Sequence, residues 1–177
     1  MGDSMPNLFR GSRDVVHISA NDFVEMPQSK QMRFYHPRQH QTDQGAVVLV
    51  YAPWCPHCRD PNWTNQYELL ASYLAPRGAH AYAMNATVPQ NSRWVEKVGI
   101  RGFPTVLMAN EKGELAEYEG ERDLKPLMES FANFLTQTNQ KKKKESSTKK
   151  KEAPKKKKSS TQKRKKETRG RKKKTKK

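Results

Sequence analysis

Cys55 and Cys58 are the only two cysteines of the chain, and they stand three positions apart in the segment Trp54-Cys55-Pro56-His57-Cys58. Two thiols at this spacing lie about one helical turn apart, so the second can attack a mixed disulfide formed on the first. A helix that opens at this point would direct backbone N–H groups toward Cys55 and favour its thiolate form. The pattern therefore predicts thiol–disulfide exchange, with Cys55 as nucleophile and Cys58 as resolving thiol. The alternative is a pair of buried or metal-bound cysteines.

The neighbouring elements have to position this pair. Residues 47–51 form a short, β-branched, apolar run, which predicts a strand buried on both faces. Pro53 and Pro56 end the strand, and Pro56 also rigidifies the turn between the cysteines. Apolar residues then recur at helical intervals and predict an amphipathic helix that ends near residues 76–78; they are Trp63, Tyr67, Leu70, Ala71 and Leu74.

Hydrophobic patterns predict further elements along the chain. They are strands over 15–18, 79–84, 105–109 and 114–118, a helix start at 19–22, a turn at 111–113, and helices over 92–98 and 124–135. Residues 27–45 are polar and predict a solvated loop or a short irregular helix. His36 and His40 in this segment could join the cysteines in a metal site. Their spacing does not match a structural zinc site, so no metal is expected.

Residues 51–58, YAPWCPHC, resemble the active-site segment of thioredoxin-fold thiol–disulfide oxidoreductases. YAPWC is similar to the protein disulfide isomerases, and the Pro-His pair between the cysteines resembles that of the bacterial oxidase DsbA. A second match lies at residues 99–105, GIRGFPT, where the family carries a cis-proline loop that faces the dithiol. Pro104 takes the proline position. The two matches stand at the family's spacing, and the resemblance spans residues 15–135.

The resemblance implies an α/β, thioredoxin-like fold with a central mixed sheet flanked by helices, in the order βα–βα–βα–ββα. It also implies that no cofactor is needed. Trp54 precedes the nucleophile Cys55 as in the family, and His57 would hold positive charge near the thiolate. In DsbA-like sequences, a Pro-His pair such as Pro56-His57 of this chain accompanies a more oxidising disulfide.

The cis-proline loop carries the implied substrate-binding residues. The family uses the backbone of the residue before the proline, here Phe103, to pair with an extended substrate segment. Pro104 would close the site opposite Cys55. The alternative is that Phe103 and Pro104 only shape a tight turn.

Three positions depart from the family pattern. The family commonly places a buried Asp or Glu six residues before the first cysteine, where it moves protons to and from the second thiol; here that residue is Leu49. A lysine that often accompanies this acid is replaced by Ala83. Pro61 comes only three residues after Cys58 and is expected to shorten or bend the first helical turn. These departures favour the alternative of a retired fold with a structural role.

The positive charge of the chain is concentrated at its C-terminus. Residues 141–177 hold 22 of the 35 Lys and Arg residues and 3 of the 18 Asp and Glu residues, a net charge of +19, whereas residues 1–140 carry −2. This basic tail has no hydrophobic periodicity, so we expect it to be disordered. A polycation of this kind binds nucleic acid or an acidic protein surface, with an affinity that falls as salt rises. It contains no aromatic residue, which argues against sequence-specific stacking on single strands.

Composition divides the chain into a flexible arm at 1–13, a thioredoxin-like domain at 14–140 and the basic tail at 141–177. The sequence does not open with the apolar region of a signal peptide, and no run approaches the roughly 18 apolar residues of a membrane span. We therefore expect a protein that is not secreted, has no membrane contact, and works in the nucleus or cytoplasm of a host. The basic tail also reads as a nuclear-import signal.

Two hypotheses of function remain open from these observations. The first is an enzyme that exchanges disulfides with protein thiols through Cys55 and Cys58 and is anchored to nucleic acid or an acidic assembly by its tail. The second is a structural or virion-associated protein that keeps the fold and binds DNA or neighbouring capsid proteins through the tail. The combination of dithiol and tail suggests a large DNA virus as the source.

Overall fold

The computed structural model describes residues 7–35 and 44–149. In this part of the chain the strands and α-helices are β1 (Val15–His17), β2 (Phe23–Glu25), β3 (Met32–Phe34), β4 (Ala46–Tyr51), α1 (Pro61–Leu74), β5 (His80–Asn85), α2 (Pro89–Val98), β6 (Thr105–Ala109), β7 (Leu115–Tyr118) and α3 (Leu124–Lys149).

Five of the strands form one mixed sheet in the order β1-β5-β4-β6-β7. β4 is parallel to β5 and antiparallel to β6, so the strand that leads into the cysteines lies in the middle of the sheet. All six residues of β4 are fully buried, which confirms the prediction of a strand covered on both faces. The expected α/β architecture with a central mixed sheet is also confirmed.

Different elements pack against the two faces of the sheet. Alternate residues of a strand point to opposite faces. Val47, Leu49 and Tyr51 pack with the buried stripe of α1 and with α3. Val48 and Val50 pack with α2 and with the β2–β3 hairpin. The helical stripe predicted for α1 is confirmed, since its five members are all buried: Trp63, Tyr67, Leu70, Ala71 and Leu74.

The β2–β3 hairpin corrects two predictions. The helix start expected at 19–22 is only a 3-10 turn, Ala20–Asp22, capped by Ser19, and the chain then enters strand β2. The segment 27–45, expected to be a loop or irregular helix, contributes strand β3. The reason is tertiary: Phe23 and Phe34 are paired across the hairpin, their ring centroids are 5.2 Å apart, and both are buried against the sheet. Burial of two aromatic rings outweighs the local helix signal.

Gly113 joins this hairpin to the edge of the main sheet. The N–H of Phe34 donates to the carbonyl oxygen of Gly113 at 2.8 Å. Gly113 has a φ of +75°, and a Cβ there would lie 2.0 Å from the carbonyl oxygen of Phe34. Only glycine permits both the turn and this close approach.

The later elements agree with the predicted patterns except at their ends. α2 begins at Pro89, three residues before the predicted start at residue 92, because proline is well suited to the first helical position. α3 continues to Lys149, so the predicted boundary at residue 140 falls inside a helix. Residues 150–177 of the basic tail lie outside the described residues.

The described part of the predicted arm, residues 7–13, lies against the domain. The ring of Phe9 contacts the rings of Tyr51 and Tyr67, with centroids 6.3 and 5.5 Å apart. The side-chain amide of Asn85 donates to the Asn7 side chain at 2.8 Å. These residues are therefore held by the core rather than free of it, whereas the domain boundaries themselves stay a prediction.

Candidate active site

The dithiol lies in a tight turn directly after the central strand β4. The N–H of Cys55 donates to the carbonyl oxygen of Ala52 at 3.0 Å. The carbonyl oxygen of Cys55 then accepts from the N–H groups of Cys58 and Arg59, at 3.1 and 3.2 Å. These bonds form one isolated helical turn, which places Cys58 beside Cys55 as the spacing predicts.

The expectation that a helix opens at the cysteines is wrong. α1 begins at Pro61, and Asp60 caps it by accepting from the N–H of Asn62 at 2.9 Å. Proline has no N–H to continue the hydrogen bonds of the preceding turn, so Pro61 shortens the helix, as expected. The first free N–H group of α1 is therefore bonded to its own cap, Asp60.

The cis-proline loop faces the dithiol. The peptide bond between Phe103 and Pro104 is cis. The thiol of Cys55 donates to the carbonyl oxygen of Phe103, with the sulfur and oxygen atoms 3.3 Å apart. Trp54 lies edge-on to the ring of Phe103, with centroids 6.1 Å apart, and is 59% exposed. The structure thus brings Trp54 and Cys55 next to Phe103 and Pro104, a pair from a distant part of the sequence.

The residues of the dithiol turn itself differ in their exposure to solvent. Cys58 is fully buried below the turn, and Cys55 is 5% exposed. Pro56 and His57 are exposed on the outer side of the same turn. Both cysteines are free thiols. The site therefore has an accessible rim around a nearly buried first thiol and a second thiol beneath it.

Burial governs the chemistry of Cys58. Burial is the main reason that the pKa of the Cys58 thiol is raised to about 12, and the interaction with Cys55 contributes to the same rise. The backbone of Ala52 and the guanidinium of Arg122 act in the opposite direction. Burial also raises the pKa of the Tyr51 hydroxyl, to about 12. Cys58 and Tyr51 are therefore both protonated at neutral pH.

Arg122 is a functional candidate that sequence reasoning missed. It precedes α3 and lines a cavity of about 310 Å³ together with Phe103 and Pro104. Nothing in its local sequence marks it, because its electrostatic effect on Cys58 depends on the position of the loop before α3.

The positions that lack the family's acid and lysine lie opposite each other in the sheet. Leu49 of β4 and Ala83 of β5 are paired in register, and both are fully buried. They belong to the same apolar cluster as Cys58. The layer below the dithiol therefore offers Cys58 neither a carboxylate nor an ammonium group at these two positions.

A dithiol at the end of a central strand, opposite a cis-proline loop, defines a thioredoxin-like class of protein. The family model described as Thioredoxin matches residues 28–133, more than half of the chain. The chain therefore belongs to the thioredoxin family, whose members act on protein thiols and disulfides.

Similar proteins match about half of this chain. The thioredoxin domain-containing protein 5 homolog of Drosophila melanogaster is 31% identical over 94 residues, covering 51% of this chain and 22% of that protein. Protein disulfide isomerase-like 2-2 of Oryza sativa subsp. japonica is 33% identical over 101 residues, covering 56% and 26% respectively. The chain thus spans about a quarter of the length of these relatives.

A solved structure supports the fold. The crystal structure of the J-Trx1 fragment of ERdj5 aligns with a TM-score of 0.51 and 13% identity, and covers 72% of this chain and 52% of that chain. At this identity the likeness shows the fold alone.

Two further observations concern other classes of site. Among residues 7–35 and 44–149, no helix is both long and apolar enough to cross a membrane. Within the same residues, no three His, Cys, Asp or Glu side chains form a group that could hold a metal ion. The alternative metal site with His36 and His40 lies outside the described residues.

Proposed function

We propose that the protein is a protein thiol–disulfide oxidoreductase that works through Cys55 and Cys58. The observation that carries this proposal is the contact between the Cys55 thiol and the carbonyl oxygen of Phe103, 3.3 Å away, beside the cis bond to Pro104. It places the nucleophile next to a backbone segment to which a substrate strand can pair. The exposed ring of Trp54 forms the neighbouring wall.

The first step forms a mixed disulfide. The Cys55 thiolate attacks one sulfur of a substrate disulfide, the substrate S–S bond breaks, and the second substrate sulfur leaves as a thiolate. The new bond joins Cys55 to the substrate. Exposed His57 on the turn contributes positive charge near the sulfur when it is protonated.

The second step resolves the mixed disulfide. Cys58 loses its proton and attacks the sulfur of Cys55, which forms the Cys55–Cys58 disulfide and releases the substrate as a thiolate. In total the substrate gains two electrons and the dithiol loses two. The reverse sequence oxidises a substrate dithiol.

Proton removal makes the second step slow in this protein. Burial keeps Cys58 protonated at neutral pH, and the residues at the position of the family's acid and lysine are Leu49 and Ala83. Arg122 lowers the pKa of Cys58 but is not itself a base. Solvent must then accept the proton, so the mixed disulfide at Cys55 persists longer than it would beside a buried carboxylate.

The basic tail would set where this chemistry takes place. We propose that residues 141–177, with a net charge of +19, bind nucleic acid or an acidic protein surface without sequence specificity. A nuclear or cytoplasmic location in a host is proposed on the same ground. Neither proposal depends on the fold of the domain.

A structural role is the second candidate, and the apolar pair Leu49 and Ala83 favours it. A protein without a proton relay below its dithiol could keep the fold and act through its tail alone, for instance as a DNA-binding virion component. This role predicts that the dithiol can be removed without loss of function.

Trapping separates the two candidates. A Cys58→Ser variant of the full chain cannot resolve a mixed disulfide, so substrate proteins should accumulate on Cys55 and dissolve again in dithiothreitol. Cys55→Ser is the matched control and should trap nothing. Equal trapping by both variants, or none by either, would contradict the oxidoreductase proposal.

A further inference from the structure

Helix α3 runs from the dithiol end of the domain to the opposite end. Arg122, two residues before the helix starts, lines a cavity together with Phe103 and Pro104. Further along the helix, Leu135 lies against Gly45, since a Cβ at that glycine would be 2.9 Å from Cδ2 of Leu135. Gly45 directly precedes β4, and the other end of β4 leads into the cysteines. Leu135 therefore marks the end of the domain that is far from the dithiol.

The helix does not stop where the domain stops. It continues from Leu135 to Lys149, 14 positions further, which at about 1.5 Å per residue adds about 21 Å. Strand β4 has six residues and spans about 20 Å at about 3.3 Å per residue. Because α3 and β4 run in opposite directions, residue 141 lies about 30 Å from the cysteines and residue 149 about 40 Å from them.

The positive charge is found at the end of α3 and not around the dithiol. Residues 141–149 contain five Lys and one Glu, a net charge of +4, and the rest of the basic tail follows them. Three loops surround the dithiol, at 52–60, 99–104 and 119–123; together they hold three Arg and four Asp or Glu residues, a net charge of −1. A polyanion is therefore attracted to the far end of the molecule rather than to the dithiol end.

The composition of the basic tail favours nucleic acid over an acidic protein surface. Protein interfaces are anchored by aromatic and other large side chains, and Lys is depleted in them. Residues 141–177 contain no aromatic residue and no aliphatic side chain larger than those of Ala153 and Pro154. Contacts to phosphate need only positive charge, and duplex DNA carries one negative charge for about every 1.7 Å of its length. The partner that fits this segment is therefore a phosphate backbone.

We propose that the helical segment 141–149 binds the phosphate backbone of nucleic acid at the end of the domain opposite the dithiol, so that Cys55 stays open in the bound molecule. The inference rests on the proposed role of the tail and does not require an active dithiol. Helix α3 acts as a stalk that keeps the nucleic acid about 30 Å from the thiols. Cys55 then faces proteins on the side of the domain away from the nucleic acid.

Protection from alkylation compares the two ends of the molecule with one reagent. Cys58→Ser leaves Cys55 as the only thiol, at the dithiol end. Ser146→Cys, combined with Cys55→Ser and Cys58→Ser, places the only thiol in the basic helix instead. Each full-length variant is treated with iodoacetamide, with and without a saturating short DNA duplex at low salt. Binding of the DNA is followed separately by gel shift.

DNA is expected to slow alkylation at position 146 by about tenfold or more and at Cys55 by less than about twofold. High salt should abolish the protection at position 146, because the phosphate contacts are lost. Protection of Cys55, or binding of DNA without protection at position 146, overturns the inference and leaves the proposed role of the tail standing. Failure of DNA to bind overturns both, whereas failure of thiol exchange in the trapping experiment affects neither.

Polyglutamate is the second probe, because it presents carboxylates instead of phosphates. Its charges are about 3.3 Å apart along an extended chain, so it should protect position 146 at least about threefold less than DNA at the same charge concentration and salt. Equal protection by the two polymers overturns the assignment to nucleic acid and favours an acidic protein surface.

The role of α3 as a stalk is tested at Thr138, between the domain and the basic segment. The Thr138 hydroxyl donates to the carbonyl oxygens of Phe134 and Leu135 within the helix. Thr138→Pro breaks the helix at this point, and Thr138→Ala removes the same hydroxyl without breaking it. A dye on Cys55 in the Cys58→Ser chain reports rotation of the domain by fluorescence anisotropy decay.

Binding of DNA should slow this rotation in the Thr138→Ala chain as much as in the chain with Thr138. In the Thr138→Pro chain the slowing should be less than about half as large, at unchanged DNA affinity, because the domain then turns independently of the basic segment. Equal slowing in the proline and alanine variants overturns the stalk.

Discussion

The rim and the floor of the dithiol site differ in chemistry. At the rim, which is formed by Trp54, Cys55, Phe103 and Pro104, the thiol bonds to a backbone carbonyl oxygen and the ring of Trp54 is exposed. The floor, formed by Cys58 with Leu49 and Ala83, is fully buried and apolar. Under the proposed function, the rim would form the mixed disulfide and the floor would slow its resolution. Capture and release of a substrate would then be separate properties, each determined by its own layer of residues.

The largest effect is expected from removing the thiol at the rim. Cys55→Ser should abolish disulfide exchange, a loss of about a thousandfold or more in the rate of reducing a model protein disulfide. Cys58→Ser should retain single-turnover capture at Cys55, because the rim is intact. Stopped-flow measurement of the first turnover distinguishes the two, and equal loss in both variants would contradict the division into rim and floor.

The pH dependence of resolution should be the next largest effect. With the pKa of Cys58 raised to about 12, only a small thiolate fraction exists at neutral pH, and that fraction rises with pH. The rate of mixed-disulfide resolution should therefore increase about tenfold per pH unit from pH 6 to 9. Rapid quench with mass detection of the Cys55 adduct measures this rate. A plateau near pH 7 would mean that Cys58 is already ionised there.

Restoring a carboxylate to the floor should accelerate resolution. Leu49→Glu places a base near Cys58, and we expect the resolution rate at pH 7 to rise about tenfold. The variant should also be less stable, since burial of an acid opposite Ala83 is unfavourable. Leu49→Gln is the control, because it introduces a side chain of the same size without a base. Acceleration by both variants would show that packing, not proton transfer, limits the step.

The smallest effect is expected from Arg122. Arg122→Gln removes a positive charge that lowers the pKa of Cys58, so resolution should slow by about two- to fivefold at low salt. Arg122 is exposed, so salt should weaken its influence and shrink the difference between the variant and the original protein. A difference that does not change with salt would indicate a contact role instead.

Local signals were enough to predict the unit that carries the dithiol. The apolar run of β4, the prolines after it and the helical stripe of α1 are dictated by neighbouring residues, so their pattern appears in the sequence. The cis-proline loop was found only through the family resemblance, because its approach to Cys55 joins residues 48 positions apart.

The rest depended on tertiary packing. Ser19 forms the capping box of a helix start. The chain nevertheless continues into strand β2, because Phe23 is buried against Phe34 and Trp94. Helix α1 begins at Pro61, later than predicted, because Asp60 caps it there. Arg122 influences the pKa of Cys58 from a loop whose course no local pattern specifies.

The reduction potential of the Cys55–Cys58 pair is the measurement that shows whether this dithiol exchanges electrons reversibly. The full chain is equilibrated in glutathione buffers, alkylated, and analysed by mass spectrometry for the fraction of intramolecular disulfide. We predict reversible conversion with a two-electron dependence on potential, in which 30 mV corresponds to about a tenfold change in the equilibrium constant. A pair that stays reduced across the whole range, or that oxidises irreversibly, would contradict a role in thiol–disulfide exchange.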